Sequence, residues 1–93
     1  MAEVFFRPRA LRALEKSLSK KEREKLNELI DQLVRGLFPP ATKKLSGMDN
    51  AYRLRIGRWR VLFMFFVLEK RIEIVDIFME KGARDYKRRQ KLF

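Results

Sequence analysis

The chain contains neither cysteine nor histidine. Without a thiol there is no disulfide, no thiolate nucleophile and no sulfur-ligated metal centre, which suits a reducing compartment. Without imidazole it lacks the commonest metal ligand and the usual acid or base of physiological pH, so catalysis would fall to Lys, Arg, Tyr, Asp or Glu. Neither a metal nor another cofactor is expected. Long apolar runs are missing too. The longest spans residues 61–68, far short of the roughly 20 that cross a bilayer, and the N-terminus has no signal-peptide core. A cytoplasmic protein with no membrane partner is the expectation. Acids are the scarce charge, 12 Asp and Glu against 23 Lys and Arg, for a formal net charge of +11.

The 93 residues suffice for one domain, which at this size buries roughly 60 to 65% of its unfolded surface. With 46% hydrophobic residues the chain reads as folded despite its charge, so the basic excess speaks about partners. Nucleic acid or ribosome comes first, an acidic protein second and an anionic membrane surface third. A merely solubilising surface would spread its charge evenly, whereas here arginine is clustered.

Residues 1–7 read as a strand stopped by Pro8. A helix hairpin is expected over 9–36. Ala10, Leu11, Ala13, Leu14 and Leu18 recur at helical spacing, Ser19 and Glu22 form a capping box, and Leu26, Leu29, Ile30, Leu33, Val34 and Leu37 make one apolar stripe, with Gly36 as the stop. Residues 39–50 read as a loop. An antiparallel meander follows over 51–80, with strands near 51–56, 59–68 and 72–79, then a basic tail over 83–93. The expected class is α+β: an N-terminal strand and a two-helix hairpin packed on one face of a small, mainly antiparallel sheet.

The most informative stretch is 52–60, Tyr-Arg-Leu-Arg-Ile-Gly-Arg-Trp-Arg, four arginines and no acid. With Gly57 and Arg58 at the centre of a tight turn, Ile56 lies opposite Trp59, Arg55 opposite Arg60 and Leu54 opposite Val61. Strand alternation then collects Arg53, Arg55 and Arg60 on one sheet face. Like charges set directly across a strand pair are destabilising, so an anion belongs there, a phosphate backbone being the obvious one. The bland alternative pairs these arginines with acids of a partner, or with Glu73 and Glu80. A second turn centred on Lys70 and Arg71 sets Phe66 opposite Val75, Phe63 opposite Phe78 and Arg60 opposite Lys81. Lys81 thereby joins the basic face, and does so with the turn one residue earlier as well. The other face, with Leu54, Ile56, Trp59, Val61, Phe63, Phe65, Ile74 and Phe78, should receive the helices. Trp59 reads as core rather than as a base-stacking ring. Leu62, Met64, Phe66, Val75 and Ile77 fall on the arginine face and need a cover, from a partner segment or the C-terminal tail. Asp76 falls on the core face and breaks the pattern.

The order of strand, helix hairpin and meander resembles the RelE/ParE toxin superfamily. So does the run Lys44-Leu45-Ser46-Gly47 ahead of Tyr52-Arg53-Leu54-Arg55-Ile56-Gly57-Arg58-Trp59-Arg60-Val61. The resemblance implies a toxin that enters the 30S A site of the ribosome and cleaves mRNA, is monomeric when free, and forms a hetero-oligomer with a cognate antitoxin that wraps it. By the same resemblance the catalytic residues would be Arg53, Arg55, Arg60, Lys81 and Tyr86, with Arg84 a rival for Lys81. Arg53 and Arg55 stand where family members often carry lysine. Lys44, Arg58, Arg84, Lys87, Arg88 and Arg89 would bind RNA, the last three as part of a tail tethered to ribosomal RNA.

Cleavage in this family implies attack of a ribose 2′-OH on the adjacent phosphate. Arginine forks suit the phosphorane charge. They do not suit the proton transfer, since arginine does not release its proton. Lys81, its pKa lowered by neighbouring cations, is the first candidate base, ahead of Glu80, Asp85, Tyr86 or an arrangement made by the ribosome. Tyr86 reads equally as a stacking or proton-donating residue and as a helix anchor. The alternatives are a ParE-like toxin acting on DNA gyrase without cutting RNA, and a non-catalytic RNA- or ribosome-binding protein.

Overall fold

A Ser19 capping box starts the longer of two helices. In the computed structural model, which describes residues 2–79 and Phe93, the Glu22 N–H donates to Ser19 Oγ at 3.1 Å and the Ser19 N–H to Glu22 Oε1 at 2.8 Å. These bonds satisfy two amides that a helix start leaves without intrahelical partners. This helix, α2 (Lys20–Val34), ends as its sequence demands. Gly36 takes φ +83°, the Leu37 N–H reaches Gln32 O and the Gly36 N–H reaches Leu33 O, both at 2.9 Å, the paired bonds of a Schellman cap. The preceding helix, α1 (Pro8–Lys16), opens on a proline whose missing N–H costs nothing there. Three residues, 17–19, link the two helices, and Leu18 among them is buried.

Five strands form one sheet: β1 (Glu3–Phe6), β2 (Thr42–Lys44), β3 (Ala51–Ile56), β4 (Trp59–Phe66) and β5 (Arg71–Met79), in the order β1-β5-β4-β3-β2. The α+β class stands, with two additions to the expected picture. β1 is parallel to β5, Val4 beside Ile72 and Phe6 beside Ile74. The stretch expected to be loop over 39–50 contains β2, antiparallel to β3. β5 therefore lies inside the sheet, paired on both edges, and carries only Arg71, Glu73 and Asp76 as charged residues.

The β4–β5 connection differs from the expectation in a way that reaches the site. The turn occupies residues 67–70, with Lys70 at φ +51°, so Phe66 faces Arg71 and Phe63 faces Ile74. A β-bulge between Leu62 and Phe63 then shifts the register, and Leu62 faces Asp76, Val61 faces Ile77 and Arg60 faces Phe78. One extra residue on a strand reverses every later side chain. Ile77 therefore joins the helix-side core and Phe78 leaves it, opposite to the expectation from strict alternation.

Both faces of the sheet are covered. On the helix side Leu54, Ile56, Val61, Phe63, Phe65, Ile72, Ile74 and Ile77 pack with Leu26, Leu29, Ile30 and Leu33 of α2 and Ala10 of α1. On the other side a smaller cluster of Leu45, Ala51, Leu62, Val75 and Phe78 is joined by Met48, Met64 and the C-terminal Phe93. The C-terminal residue thus supplies part of the cover that the apolar stretch of the arginine face required.

Candidate nucleic-acid interface

The hairpin carrying the arginines turns on Gly57, at φ +56°, followed by Arg58, whose φ is negative. Glycine at the first central position is the pattern of a type II′ turn. A Cβ on Gly57 would meet nothing within 4 Å, so the glycine serves the backbone angle and not a close approach. The register is the expected one: Ile56 opposite Trp59, Arg55 opposite Arg60, Leu54 opposite Val61. Arg53, Arg55 and Arg60 consequently share one face, away from the helices.

Their surroundings differ. Arg55 is exposed, while Arg53 and Arg60 are half-buried. Arg60 Nη1 donates to the carbonyls of Gly57 and Trp59, each at 3.1 Å, which ties its guanidinium to the turn. On the reverse of the same hairpin, Trp59 packs against the helix-side core and its Nε1–H donates to Glu22 Oε2 at 2.7 Å. The core reading of Trp59 holds. Glu22 therefore serves helix cap and hairpin together. The backbone hydrogen bond from Ser19 is the largest influence holding its carboxyl below the ordinary glutamate pKa, with smaller help from Trp59, the Ser19 hydroxyl and the Arg58 charge.

A further cation stands beside these arginines that local sequence reasoning missed. Lys43 of β2 lies directly opposite Arg53. With Arg53, Arg55, Pro40 and Ala41 it lines an open cleft of about 140 Å³. Residues 42–44 are too short a run for periodicity to reveal, and two prolines beside them signal loop. By the same pairing Lys44, expected to bind RNA, lies opposite Tyr52 and so shares the helix-side face, not the face of the arginines. Arg58 is exposed at the tip of the turn.

Asp76 is explained by the bulge. Opposite Leu62, it belongs to the arginine face and not to the core face. It is 1% exposed, and its Oδ1 accepts the Ile77 N–H at 2.9 Å. A single row across the sheet reads Lys43, Arg53, Leu62, Asp76. Glu73, one of the acids offered above as a partner for the hairpin arginines, is instead paired with Arg7 and, at 3.4 Å, with Arg71. The pairing expected between Arg60 and Lys81 is replaced by Arg60 and Phe78. Lys81, Arg84, Tyr86, Lys87, Arg88 and Arg89, together with Glu80 and Asp85, lie outside the described residues.

This backbone has counterparts among solved proteins. Isolated E. coli RelE toxin aligns with a TM-score of 0.75 over 98% of this chain and 97% of that one, at 19% identity. The chain has the fold of the RelE toxins. The RelE fold recurs at similar agreement in the archaeal RelE-RelB complex from Pyrococcus horikoshii, with a TM-score of 0.70, 26% identity, and 88% of this chain and 98% of that one covered. The RelB-RelE antitoxin-toxin complex from Methanococcus jannaschii gives 0.71 at 20% identity, covering 88% and 96%. No protein-family model matches the sequence, and no curated protein does. At these identities it is the path of the chain that agrees, and the chemistry of this surface resides in its own side chains.

Proposed function

We propose that this protein is the toxin of a toxin–antitoxin pair and acts as a ribosome-dependent endoribonuclease, cleaving mRNA in the A site. The observation that carries the reading is the gathering of Arg53, Arg55 and Arg60 on one face of a RelE fold. Two guanidinium groups directly across a strand pair repel one another, and an anion seated between them reverses that cost. A phosphodiester fits the forked donors. In the reaction the ribose 2′-oxygen bonds to phosphorus, its proton passes to a base, and the 5′-oxygen of the next nucleotide leaves and is protonated. Arg55 and Arg60 stabilise the charge gathered on the phosphorane, the kind of interaction that gives catalysis its largest share. Lys81 and Tyr86 are assigned the proton transfers, and Arg58, Arg84 and the cations of the tail the hold on RNA. The proposed partners are mRNA, the ribosome of the cytoplasm and an antitoxin. Support for the last is that several similar structures are complexes of RelE with RelB.

Purified protein added to ribosomes programmed with a defined message is expected to yield transcripts cut in the A site. Arg60→Ala, with folding checked by thermal melting, should lower the yield at least roughly tenfold, about 1.4 kcal/mol of barrier. Intact message together with blocked gyrase supercoiling would move the assignment to the ParE-like reading. Intact message with gyrase unaffected leaves a non-catalytic binder.

A further inference from the structure

If this face grips RNA, as proposed above, its cations are spaced for more than one phosphate. Lys43, Arg53, Arg55 and Arg60 are arranged as two rows. Arg55 and Arg60 form one cross-strand pair on β3 and β4, and Lys43 and Arg53 form another on β2 and β3. Directly opposed residues place their Cβ atoms about 4.5 to 5.5 Å apart. The two rows are displaced by two residues along β3, about 6.7 Å, comparable to the step between successive phosphates of an extended strand.

The Lys43 row also has a wall. Pro40 and Ala41 close one side of the cleft that Lys43, Arg53 and Arg55 line. The Thr42 N–H bonds to Pro39 O at 3.0 Å, and the two prolines have fixed φ, so the wall is held before any ligand arrives. Pre-organisation of this kind lowers the ordering cost of binding. A competing role for Lys43 is protection of the sheet edge, since lysines on an edge strand discourage unwanted pairing. Lys44 serves that role equally well, being the neighbouring, similarly exposed lysine on the same edge strand, but it points to the opposite face.

We propose that Lys43 and Arg53 bind the phosphate next to the one held by Arg55 and Arg60, so that the face reads two successive phosphates of a single-stranded RNA. The test measures binding of the full-length protein to a short, labelled single-stranded RNA by fluorescence anisotropy over a series of salt concentrations. Lys43→Ala is expected to weaken binding several-fold and to make the dependence of log K on log salt shallower by about 0.7, one phosphate contact. Lys43→Arg should restore the slope, and Lys25→Ala, at an exposed lysine of α2, should leave both quantities near wild type. Equal effects of Lys43→Ala and Lys25→Ala, or no effect of Lys43→Ala, overturn the subsite. If Arg55→Ala and Arg60→Ala still weaken binding in that case, the face binds RNA without Lys43 and the parent reading survives. If none of these variants alters binding, both fall.

Discussion

Glu22 is the residue through which one charge reaches two elements. Its carboxylate closes the capping box of α2 through the Ser19 N–H and holds Trp59 Nε1 on the hairpin. These bonds favour the ionised form and lower its pKa. A carboxyl depressed in the folded state adds stability above its unfolded pKa and loses that addition as pH falls through the folded value. The thermal-stability gap between wild type and Glu22→Gln is therefore expected to be widest near neutral pH and to close as pH drops below the ordinary glutamate range. Glutamine keeps the capping geometry, so the comparison isolates the charge. A gap independent of pH would assign the contribution to hydrogen bonding alone.

At the scale of elements, the β3–β4 hairpin is the unit that assembles the arginines, and Gly57 sets its angle. An L side chain at φ +56° is strained by about 1 to 2 kcal/mol, and nothing within 4 Å blocks the new methyl sterically. Gly57→Ala should lower stability by about 1 kcal/mol in chemical denaturation. It should also disturb the Arg60 bond to the Gly57 carbonyl, and with it the proposed RNA cleavage. A substitution without effect on stability would mean that the turn relaxes to another type. The second hairpin teaches the opposite lesson. Its strand periodicity is clear on both sides, yet the bulge at Leu62 and Phe63 reverses the side chains of β5 beyond it. That reversal moves Asp76 and Phe78 to the arginine face.

For the molecule as a whole, the sheet is packed on both faces, and neighbouring residues of β4 test this directly. Phe63 points to the helices and Leu62 to the arginine side, and each is fully buried. Phe63→Ala is expected to cost about 3 to 5 kcal/mol and Leu62→Ala about 2 to 5, both read from denaturant midpoints. A cost below about 1 kcal/mol for Leu62→Ala would mean that the second cluster is open to water. The cluster lies beside the arginines, which makes this a question about the site too. A dry floor under a cationic face strengthens its hold on a phosphate.

The sequence by itself determined whatever depends on neighbours a few residues apart. The capping box, the stop at Gly36, the hairpin register about Gly57 and the shared face of Arg53, Arg55 and Arg60 all belong here. Each follows from a helical or strand repeat, or from one backbone angle, and those operate within a short stretch of chain. Tertiary structure decided the rest. The parallel seat of β1, the edge strand that brings Lys43 opposite Arg53, the bulge that places Asp76, and Phe93 packed on the second cluster are pairings between residues far apart in sequence. Their register is chosen by how the whole sheet buries its apolar side chains, a condition that no local repeat encodes.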